Sequence, residues 1–286
     1  MQRKLHPLEG IVAVFALVFV LALTIGFAQA GEAKKVVLRS NAALVIDAAT
    51  GEVVMDKNGD AVTPIASITK LMTAIVTLES GLDLQAPVAL TRDDVDLKKG
   101  SRSRLRTGVT LTRDELLLIA LMASENRAAA ALGRSYPGGT QAFVAAMNEM
   151  AAELGMSDTR FVDPTGLSPQ NVSSAHDLAK LVRAAHGYPT IREYSTRDKA
   201  TVLLSGRQKM NYRNTNGLVR NSRWEIDLSK TGYISEAGRC LVMQVRLASK
   251  DLIVVLLDSW GKHSRVGDAN RIKKWVETTA AAGIQG

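Results

Sequence analysis

Strand-like segments lie at both ends of the chain, and the region between them is helical. Residues 42–47 and 52–56 have the composition of two strands around a Gly-containing turn. Near the other end, residues 226–233, 239–248 and 252–258 are also strand-like and are separated by short polar turns. This arrangement predicts one antiparallel sheet assembled from the two ends of the chain.

Between the two strand-like blocks, apolar residues recur with the 3.6-residue spacing of helices. The predicted helices cover residues 67–80, 112–123, 126–133, 140–154 and 174–185. Ser174, with Asp177 three residues later, is typical of a helix start. A last amphipathic helix is expected over residues 265–280. The sequence therefore predicts an α+β fold with helices flanking the sheet, a helical lobe, and a cleft where sheet and lobe meet.

The N-terminus carries the pattern of an export signal. Arg3 and Lys4 precede an apolar run over residues 11–27, and Ala28-Gln29-Ala30 follows it as a small-x-small cleavage site. The pattern favours a signal peptide over residues 1–30 and one exported domain over residues 31–286. The alternative is an uncleaved anchor, because the run is longer than the usual signal core of about 7–15 residues but shorter than the about 20 residues that span a bilayer.

Composition excludes several protein classes. With 46% hydrophobic residues in 286, the chain is not intrinsically disordered. The single cysteine, Cys240, cannot form an intramolecular disulfide, and it is interpreted as a small buried hydrophobe. One cysteine and four histidines show no metal-ligand spacing, so no metal or cofactor is expected. The net charge of +8 is spread along the chain, which gives no support to a nucleic-acid partner.

Ser67 and Lys70 are placed three residues apart at the start of a predicted helix, where their side chains can meet. A serine is a poor nucleophile unless a base takes its proton, and a lysine is a base only where burial or a nearby cation lowers its pKa. The spacing thus suits nucleophilic catalysis. Taken alone it is weak, because Ser-x-x-Lys occurs about once by chance in a chain of this length.

Two further motifs gain meaning only in combination with the first. Ser124-Glu125-Asn126 lies at the junction of two predicted helices, where Ser and Asn most often serve as caps. Lys230-Thr231-Gly232 lies on a predicted strand, and a glycine inside a strand often marks the close approach of another backbone or a ligand. The alternative for this third motif is an ordinary strand end exposed to solvent, with no functional role.

The three motifs in this order are typical of penicillin-binding proteins and class A β-lactamases. From about residue 42 to residue 277 the chain resembles the low-molecular-mass penicillin-binding proteins, which are serine D-alanyl-D-alanine peptidases. Further matching segments are residues 67–74, 154–161, 163–167 and 177–179. Residues 124–129, 213–216 and 230–233 look like the murein DD-endopeptidase branch of this family. The resemblance implies the penicillin-binding transpeptidase fold and cleavage of D-alanyl-diaminopimelate cross-links.

The resemblance also implies roles for the reacting groups. Ser67 would attack the D-alanyl carbonyl and form an acyl-enzyme, with Lys70 as general base. Ser124 would relay a proton to the leaving amine. Lys230 would keep Lys70 deprotonated by charge repulsion. The backbone N–H groups of Ser67 and Tyr233 would form the oxyanion hole.

Substrate binding is expected at two motifs. Asn126 would hydrogen-bond the substrate amide. Lys230 and Thr231 would hold its carboxylate, with Gly232 and Tyr233 beside them on the same strand. The expected partners are peptidoglycan stem peptides and β-lactam inhibitors. The expected location is the periplasm, with no stable membrane anchor once the signal peptide is removed.

Several alternatives stay open at this point. A D-alanyl-D-alanine carboxypeptidase would use the same residues to trim terminal D-alanine. A class A β-lactamase is disfavoured because no Glu-x-x-Leu-Asn segment occurs between residues 126 and 230. A β-lactam sensor and a non-catalytic wall-binding scaffold are further possibilities. Lys262 or Arg265 would take the place of a carboxylate-binding arginine, and the basic segment 98–106 either lines the cleft or is a solvated loop. His176, His186 and His263 are interpreted as structural.

Overall fold

The two ends of the chain meet in one five-stranded antiparallel sheet. The computed structural model describes residues 36–97, 99–204 and 208–283. The strands of this sheet are β1 Ser40–Asp47, β2 Val53–Lys57, β9 Glu225–Ile234, β10 Gly238–Leu247 and β11 Lys250–Ser259. Their order across the sheet is β2-β1-β11-β10-β9. Leu44 of β1 pairs with Val255 of β11, which in turn pairs with Val242 of β10. The predicted sheet from both chain ends is confirmed.

The central strands are apolar on both faces. Six consecutive residues of β11, Leu252 to Leu257, are buried, and successive side chains of a strand point to opposite faces. Two helices contact these strands, α5 (Ala175–His186) and α7 (Ser264–Gly283). This explains why the strands read as continuous apolar runs rather than as an alternating pattern.

The helical lobe lies between the two strand blocks in the sequence, as predicted. Its helices are α1 Lys70–Glu79, α2 Arg113–Met122, α3 Asn126–Arg134 and α4 Gly139–Glu153. Polar side chains cap the starts of α2, α3 and α5. The Thr112 hydroxyl accepts from the Glu115 N–H at 3.1 Å, and the Glu115 carboxylate accepts from the Thr112 N–H at 2.9 Å. The Ser174 hydroxyl accepts from the Asp177 N–H at 3.2 Å, so the helix start predicted there is confirmed.

Several short elements were not predicted from the sequence. They are the helix α6 Pro189–Thr196, the strand pairs β3 Thr63–Pro64 with β6 Val172–Ser173 and β4 Pro87–Ala89 with β5 Thr110–Thr112, and the hairpin of β7 Lys199–Leu203 with β8 Lys209–Arg213. Strands of two or three residues are too short to show a period. Helix α6 is short and begins with a proline, which suits a first helical position but reads in the sequence as a helix breaker.

The predicted signal peptide lies outside the described residues, so residues 1–30 stay a prediction, as does the domain boundary at residue 31. From Val37 onward the described residues form one unit. Among the described helices, none combines the length and the apolar character that crossing a bilayer requires.

Candidate active site

Ser67 lies in a 3₁₀ turn, Ala66–Thr69, that leads directly into helix α1. The preceding residue, Ala66, has φ = +48° and is fully buried. A left-handed conformation is unfavourable for alanine and persists only where the surrounding structure fixes it. The backbone at the predicted nucleophile is therefore held in a strained conformation by its packing.

Two glycines provide that packing. A Cβ atom on Gly166 would lie 2.0 Å from the Ala66 carbonyl oxygen and 2.9 Å from the Ser67 nitrogen. A Cβ on Gly232 would lie 2.9 Å from the Ile65 carbonyl oxygen and 3.1 Å from the Ser67 nitrogen. Strand β9 and the 166 loop thus approach the Ser67 backbone at distances that only glycine permits. The close backbone approach predicted at Gly232 is confirmed.

Lys70 is buried, with 1% of its surface exposed, and its Nζ has three polar neighbours. The Ser67 Oγ lies at 2.9 Å, the Asn126 Oδ1 at 2.8 Å and the Thr165 carbonyl oxygen at 2.5 Å. A protonated Lys70 donates to all three. An uncharged Lys70 amine has only two N–H groups, which donate to the Asn126 and Thr165 oxygens. The lone pair of the nitrogen then faces the Ser67 hydroxyl.

Burial lowers the pKa of Lys70 from 10.5 to about 7, while the nearby carboxylates of Asp163 and Glu125 act in the opposite direction. Desolvation disfavours the ammonium form, and the two negative charges do not fully offset it. Lys70 is thus available as a base near neutral pH. The sequence offered burial or a nearby cation as the cause of a low pKa at Lys70, and the resemblance named Lys230 as that cation. The structure gives burial as the main cause.

Thr165 is held by a tight turn organised by one carboxylate. Asp163 Oδ1 accepts hydrogen bonds from the N–H and the hydroxyl of Thr165, both at 2.6 Å, and from the Gly166 N–H at 2.7 Å. The Thr73 hydroxyl, on α1, donates to the Pro164 carbonyl at 2.6 Å. These bonds fix the Thr165 carbonyl opposite Lys70. The resemblance to the penicillin-binding proteins covers the segment 163–167 but implies no role for its residues.

Ser124 and Asn126 flank the junction between α2 and α3. Ser124 has φ = +58°, the second left-handed non-glycine residue at the site. Its Oγ accepts from Lys230 Nζ at 2.9 Å. Because Oδ1 of Asn126 faces Lys70, its amide NH₂ remains as a donor.

Strand β9 is one of the two edge strands of the sheet and contributes the third motif. Lys230 is 1% exposed, and its Nζ also donates to the Thr231 carbonyl at 3.0 Å. Burial lowers the pKa of Lys230 well below its ordinary value, and the positive charges of Lys70 and Arg265 lower it further. The Thr231 hydroxyl donates to the Thr215 hydroxyl at 2.7 Å.

A crevice of about 240 Å³ opens between these elements. Its lining residues are Ser67, Ser124, Asn126, Leu167, Thr215, Thr231, Gly232, Tyr233 and Arg265. The Tyr233 side chain is 56% exposed, and the Arg239 guanidinium lies over its ring, 4.6 Å from the centroid. The structure thus brings together the side chains of all three motifs, with Lys70 and Lys230 buried directly behind the crevice wall.

Arg265 lines the crevice, whereas the other candidate for carboxylate binding, Lys262, does not. Arg265 Nη1 donates to the carbonyls of Gly232 at 2.9 Å and Cys240 at 3.2 Å. Burial and the nearby Arg239 lower the pKa of Arg265 to about 10. Thr215 also lines the crevice; it lies in the segment 213–216, which resembles the endopeptidase branch but for which the resemblance implies no role.

The remaining predicted residues lie elsewhere. His176 contacts Asp56, with Nε2 to Oδ2 at 2.8 Å, and none of the three histidines discussed above lines the crevice. Cys240 is fully buried, as interpreted from the sequence, and burial raises the pKa of its thiol to about 11. Within residues 36–97, 99–204 and 208–283, no group of three or more His, Cys, Asp or Glu side chains is arranged to hold a metal ion.

Comparisons with known proteins agree with this geometry. A family model described as D-alanyl-D-alanine carboxypeptidase matches residues 29–261. A D-alanyl-D-alanine endopeptidase of Pseudomonas aeruginosa is 46% identical over 86% of this chain and 80% of its own length. One from Escherichia coli is 43% identical over 88% of this chain and 81% of its own length. The crystal structure of the Streptomyces K15 DD-transpeptidase has a TM-score of 0.78 and 28% identity, covering 84% of this chain and 97% of that one.

Fold and site together define a serine peptidase with the fold of the penicillin-binding transpeptidases, as predicted. More specifically, the chain belongs to the D-alanyl-D-alanine carboxypeptidase family. The predicted resemblance to the endopeptidase branch is confirmed by the relatives at 46% and 43% identity. A carboxypeptidase of Bacillus subtilis is 30% identical.

Proposed function

We propose that the protein is a periplasmic DD-endopeptidase that hydrolyses D-alanyl-diaminopimelate cross-links of peptidoglycan through an acyl-enzyme on Ser67. The observation that carries the proposal is the contact of 2.9 Å between Lys70 Nζ and Ser67 Oγ, with a pKa of about 7 for that lysine. A nucleophile with an uncharged amine beside it is the minimum that acyl transfer by serine requires.

In the acylation step, Lys70 takes the Ser67 proton as the Oγ–carbon bond forms at the D-alanyl carbonyl. The carbon–nitrogen bond then breaks, and the departing amine needs a proton. Ser124 relays it: its hydroxyl, which faces the crevice and contacts Lys230 at 2.9 Å, gives its proton to the amine and takes back the proton that Lys70 received from Ser67. Lys70 is uncharged again at the end of this step. Water then attacks the ester, with Lys70 again as the base, and restores the Ser67 hydroxyl.

Substrate positioning falls to the crevice residues. The Asn126 amide NH₂ donates to the substrate amide. Thr231 and Arg265 offer a hydroxyl and a cation to the substrate carboxylate, with Lys230 adding positive charge from behind. The backbone N–H groups of Ser67 and Tyr233 form the oxyanion hole, supported by the close approach of Gly232 to the Ser67 nitrogen.

The endopeptidase assignment is favoured over the carboxypeptidase by similarity. The relatives at 46% and 43% identity have endopeptidase names, and the carboxypeptidases of Bacillus subtilis and Streptomyces are 30% and 31% identical. A carboxypeptidase is the second candidate, because the crevice chemistry is the same for a terminal D-alanine. A β-lactam would acylate Ser67, since its ring-opened product keeps the leaving nitrogen attached to the enzyme-bound acyl group.

The test is incubation of the purified protein with a cross-linked muropeptide dimer and, separately, with an uncross-linked pentapeptide monomer. The proposal expects conversion of dimers to monomers and loss of this activity in Ser67→Ala. Loss of only the terminal D-alanine from monomers would assign the carboxypeptidase instead. A fluorescent penicillin, followed by peptide mapping, is expected to label Ser67 and no other residue.

A further inference from the structure

A second pocket, of about 540 Å³, is lined by three arginines, Arg104, Arg106 and Arg127. We call it the arginine pocket. Its other lining residues include the apolar side chains of Val109 and Met210, and none of the described lining residues carries a carboxylate. A concave site with three positive charges and no negative charge in its wall is suited to an anionic group.

Arg127 is incompletely satisfied in this pocket. Its Nη1 donates to the Leu105 carbonyl at 2.5 Å, which anchors the loop bearing the other two arginines. Its Nε is buried and has no hydrogen-bond partner among the described residues. Buried polar groups in native proteins almost always have partners, and an unsatisfied donor is costly. Arg127 lines the pocket, so an oxyanion bound there would bring a negative charge and acceptor oxygens to this guanidinium.

The other two arginines are exposed toward solvent and are not neutralised. The Arg104 guanidinium stacks on the Tyr212 ring at 4.3 Å from the centroid, which occupies its face and leaves its N–H edges available. In the described part of the chain no carboxylate forms a salt bridge with Arg104, Arg106 or Arg127, whereas Arg134 is paired with Asp94.

The catalytic crevice and the arginine pocket take consecutive lining residues from the start of α3. Arg127 directly follows Asn126, which lines the crevice and contacts Lys70. The Glu125 carboxylate, one residue earlier, accepts from the Arg127 backbone N–H at 3.3 Å, so it caps the helix rather than neutralising the guanidinium. A substrate that extends beyond the crevice along this turn would meet the three arginines.

We propose that the arginine pocket binds a carboxylate of the second stem peptide in a cross-linked substrate. This inference rests on the proposed endopeptidase function. A carboxypeptidase releases only one D-alanine, but an endopeptidase must also accommodate the stem peptide that leaves. Stem peptides carry free carboxylates, which match the planar guanidinium fork in charge and geometry. The pocket volume is also in the range that holds a peptide branch rather than a single small ion.

The first test compares Arg104→Gln and Arg106→Gln with the matched control Arg102→Gln. Arg102 is an exposed arginine of the same loop and does not line the pocket, so its loss removes the same charge without touching the site. We expect KM for the cross-linked dimer to rise about tenfold in each pocket variant. The control is expected to keep the wild-type value. Hydrolysis of a short D-alanyl-D-alanine peptide should be unchanged in all three variants. Equal KM values for the dimer in pocket and control variants would overturn the proposal.

The second test alters the ligand. With a dimer whose free carboxylates are amidated, except the one that Thr231 and Arg265 hold in the crevice, the wild-type protein should show the raised KM of Arg106→Gln. That substitution should then cause no further loss. An equal loss with both dimers would overturn carboxylate recognition. Arginine-dependent binding of inorganic phosphate or anionic lipid vesicles, without an effect on the dimer KM, would also overturn it and favour a phosphate ligand.

Failure of this proposal is distinguishable from failure of the proposed function. If wild-type protein cleaves dimers and the pocket variants behave like Arg102→Gln, only the arginine pocket assignment is wrong. If wild-type protein does not cleave dimers, the endopeptidase assignment is wrong and the arginine pocket proposal falls with it. Calorimetric titration of the dimer into Ser67→Ala measures affinity without turnover and should show the same tenfold weakening in the double variant with Arg106→Gln.

Discussion

Catalysis should switch on with the loss of a proton from Lys70. At its ordinary pKa of 10.5, about one lysine in 3000 is uncharged at pH 7, since each pKa unit is a factor of ten. With a pKa of about 7, about half of Lys70 is uncharged at that pH. Burial of this one side chain therefore raises the fraction of active base roughly a thousandfold. Because the uncharged form is the base, activity rises as the pH rises through the pKa.

The expected result is a kcat/KM for a D-alanyl-D-alanine peptide that is about tenfold lower at pH 6 than on the plateau above pH 8. Measured from pH 5.5 to 9, this profile reports the pKa of the free enzyme. A profile that is flat between pH 6 and 8, or that falls as the pH rises, would refute the assignment of Lys70 as the base.

The variant Glu125→Gln should shift the midpoint of this pH profile. The Glu125 charge raises the pKa of Lys70, so its removal should shift the acidic limb of the profile to lower pH. The glutamine keeps an oxygen for the Arg127 N–H, so the helix cap is retained. Glu153→Gln makes the same chemical change at an exposed position at the end of α4 and should leave the midpoint unchanged. An unmoved or raised midpoint in Glu125→Gln would contradict the electrostatic argument.

Three further outcomes follow from packing and burial. Gly166→Ala should lower the free energy of unfolding by more than about 3 kcal/mol in chemical denaturation, because its Cβ would collide with the Ala66 carbonyl. The control Gly155→Ala has open space around its Cβ and should cost only about 1–2 kcal/mol, from backbone strain. Asp94→Asn should cost about 3 kcal/mol, since it removes the charge of a buried carboxylate paired with Arg134 and leaves one oxygen for the Arg134 and Thr91 N–H donors. A loss below 1 kcal/mol would contradict this account. Cys240 should resist iodoacetamide at pH 8 in the folded protein and react once the protein is unfolded in denaturant, because its thiol is buried and has a raised pKa.

The sequence predicts the elements that bury apolar faces or carry explicit caps. Strands β9, β10 and β11 are long apolar runs bounded by turns, and their predicted bounds differ from the observed ones by at most two residues. Helix α2 is likewise marked by the cap at Thr112. Helix α6 and the β7–β8 hairpin are half-exposed and held by contacts with other elements, such as α6 with α2 and β9, which local sequence does not encode.

The side chains of the site are predictable to the extent that they are chemically distinctive. Ser67, Lys70 and Lys230 carry groups whose chemistry suggests a role at once. Thr165 contributes only a carbonyl oxygen to Lys70, and any residue type has one. Its position is set by the turn that the Asp163 carboxylate organises. The role of such a backbone acceptor cannot be predicted from the residue type and is identified only from the folded structure.

Strain at the site links these observations. Ala66 and Ser124 have φ values of +48° and +58°, and each adjoins or carries a hydroxyl of the crevice. Each such residue costs on the order of 1–3 kcal/mol, which the surrounding structure must supply. At Ala66 it does so through the approach of Gly166 and Gly232. The backbone geometry thus fixes the two hydroxyls before substrate binds, so little conformational entropy is lost in orienting them at the reaction step.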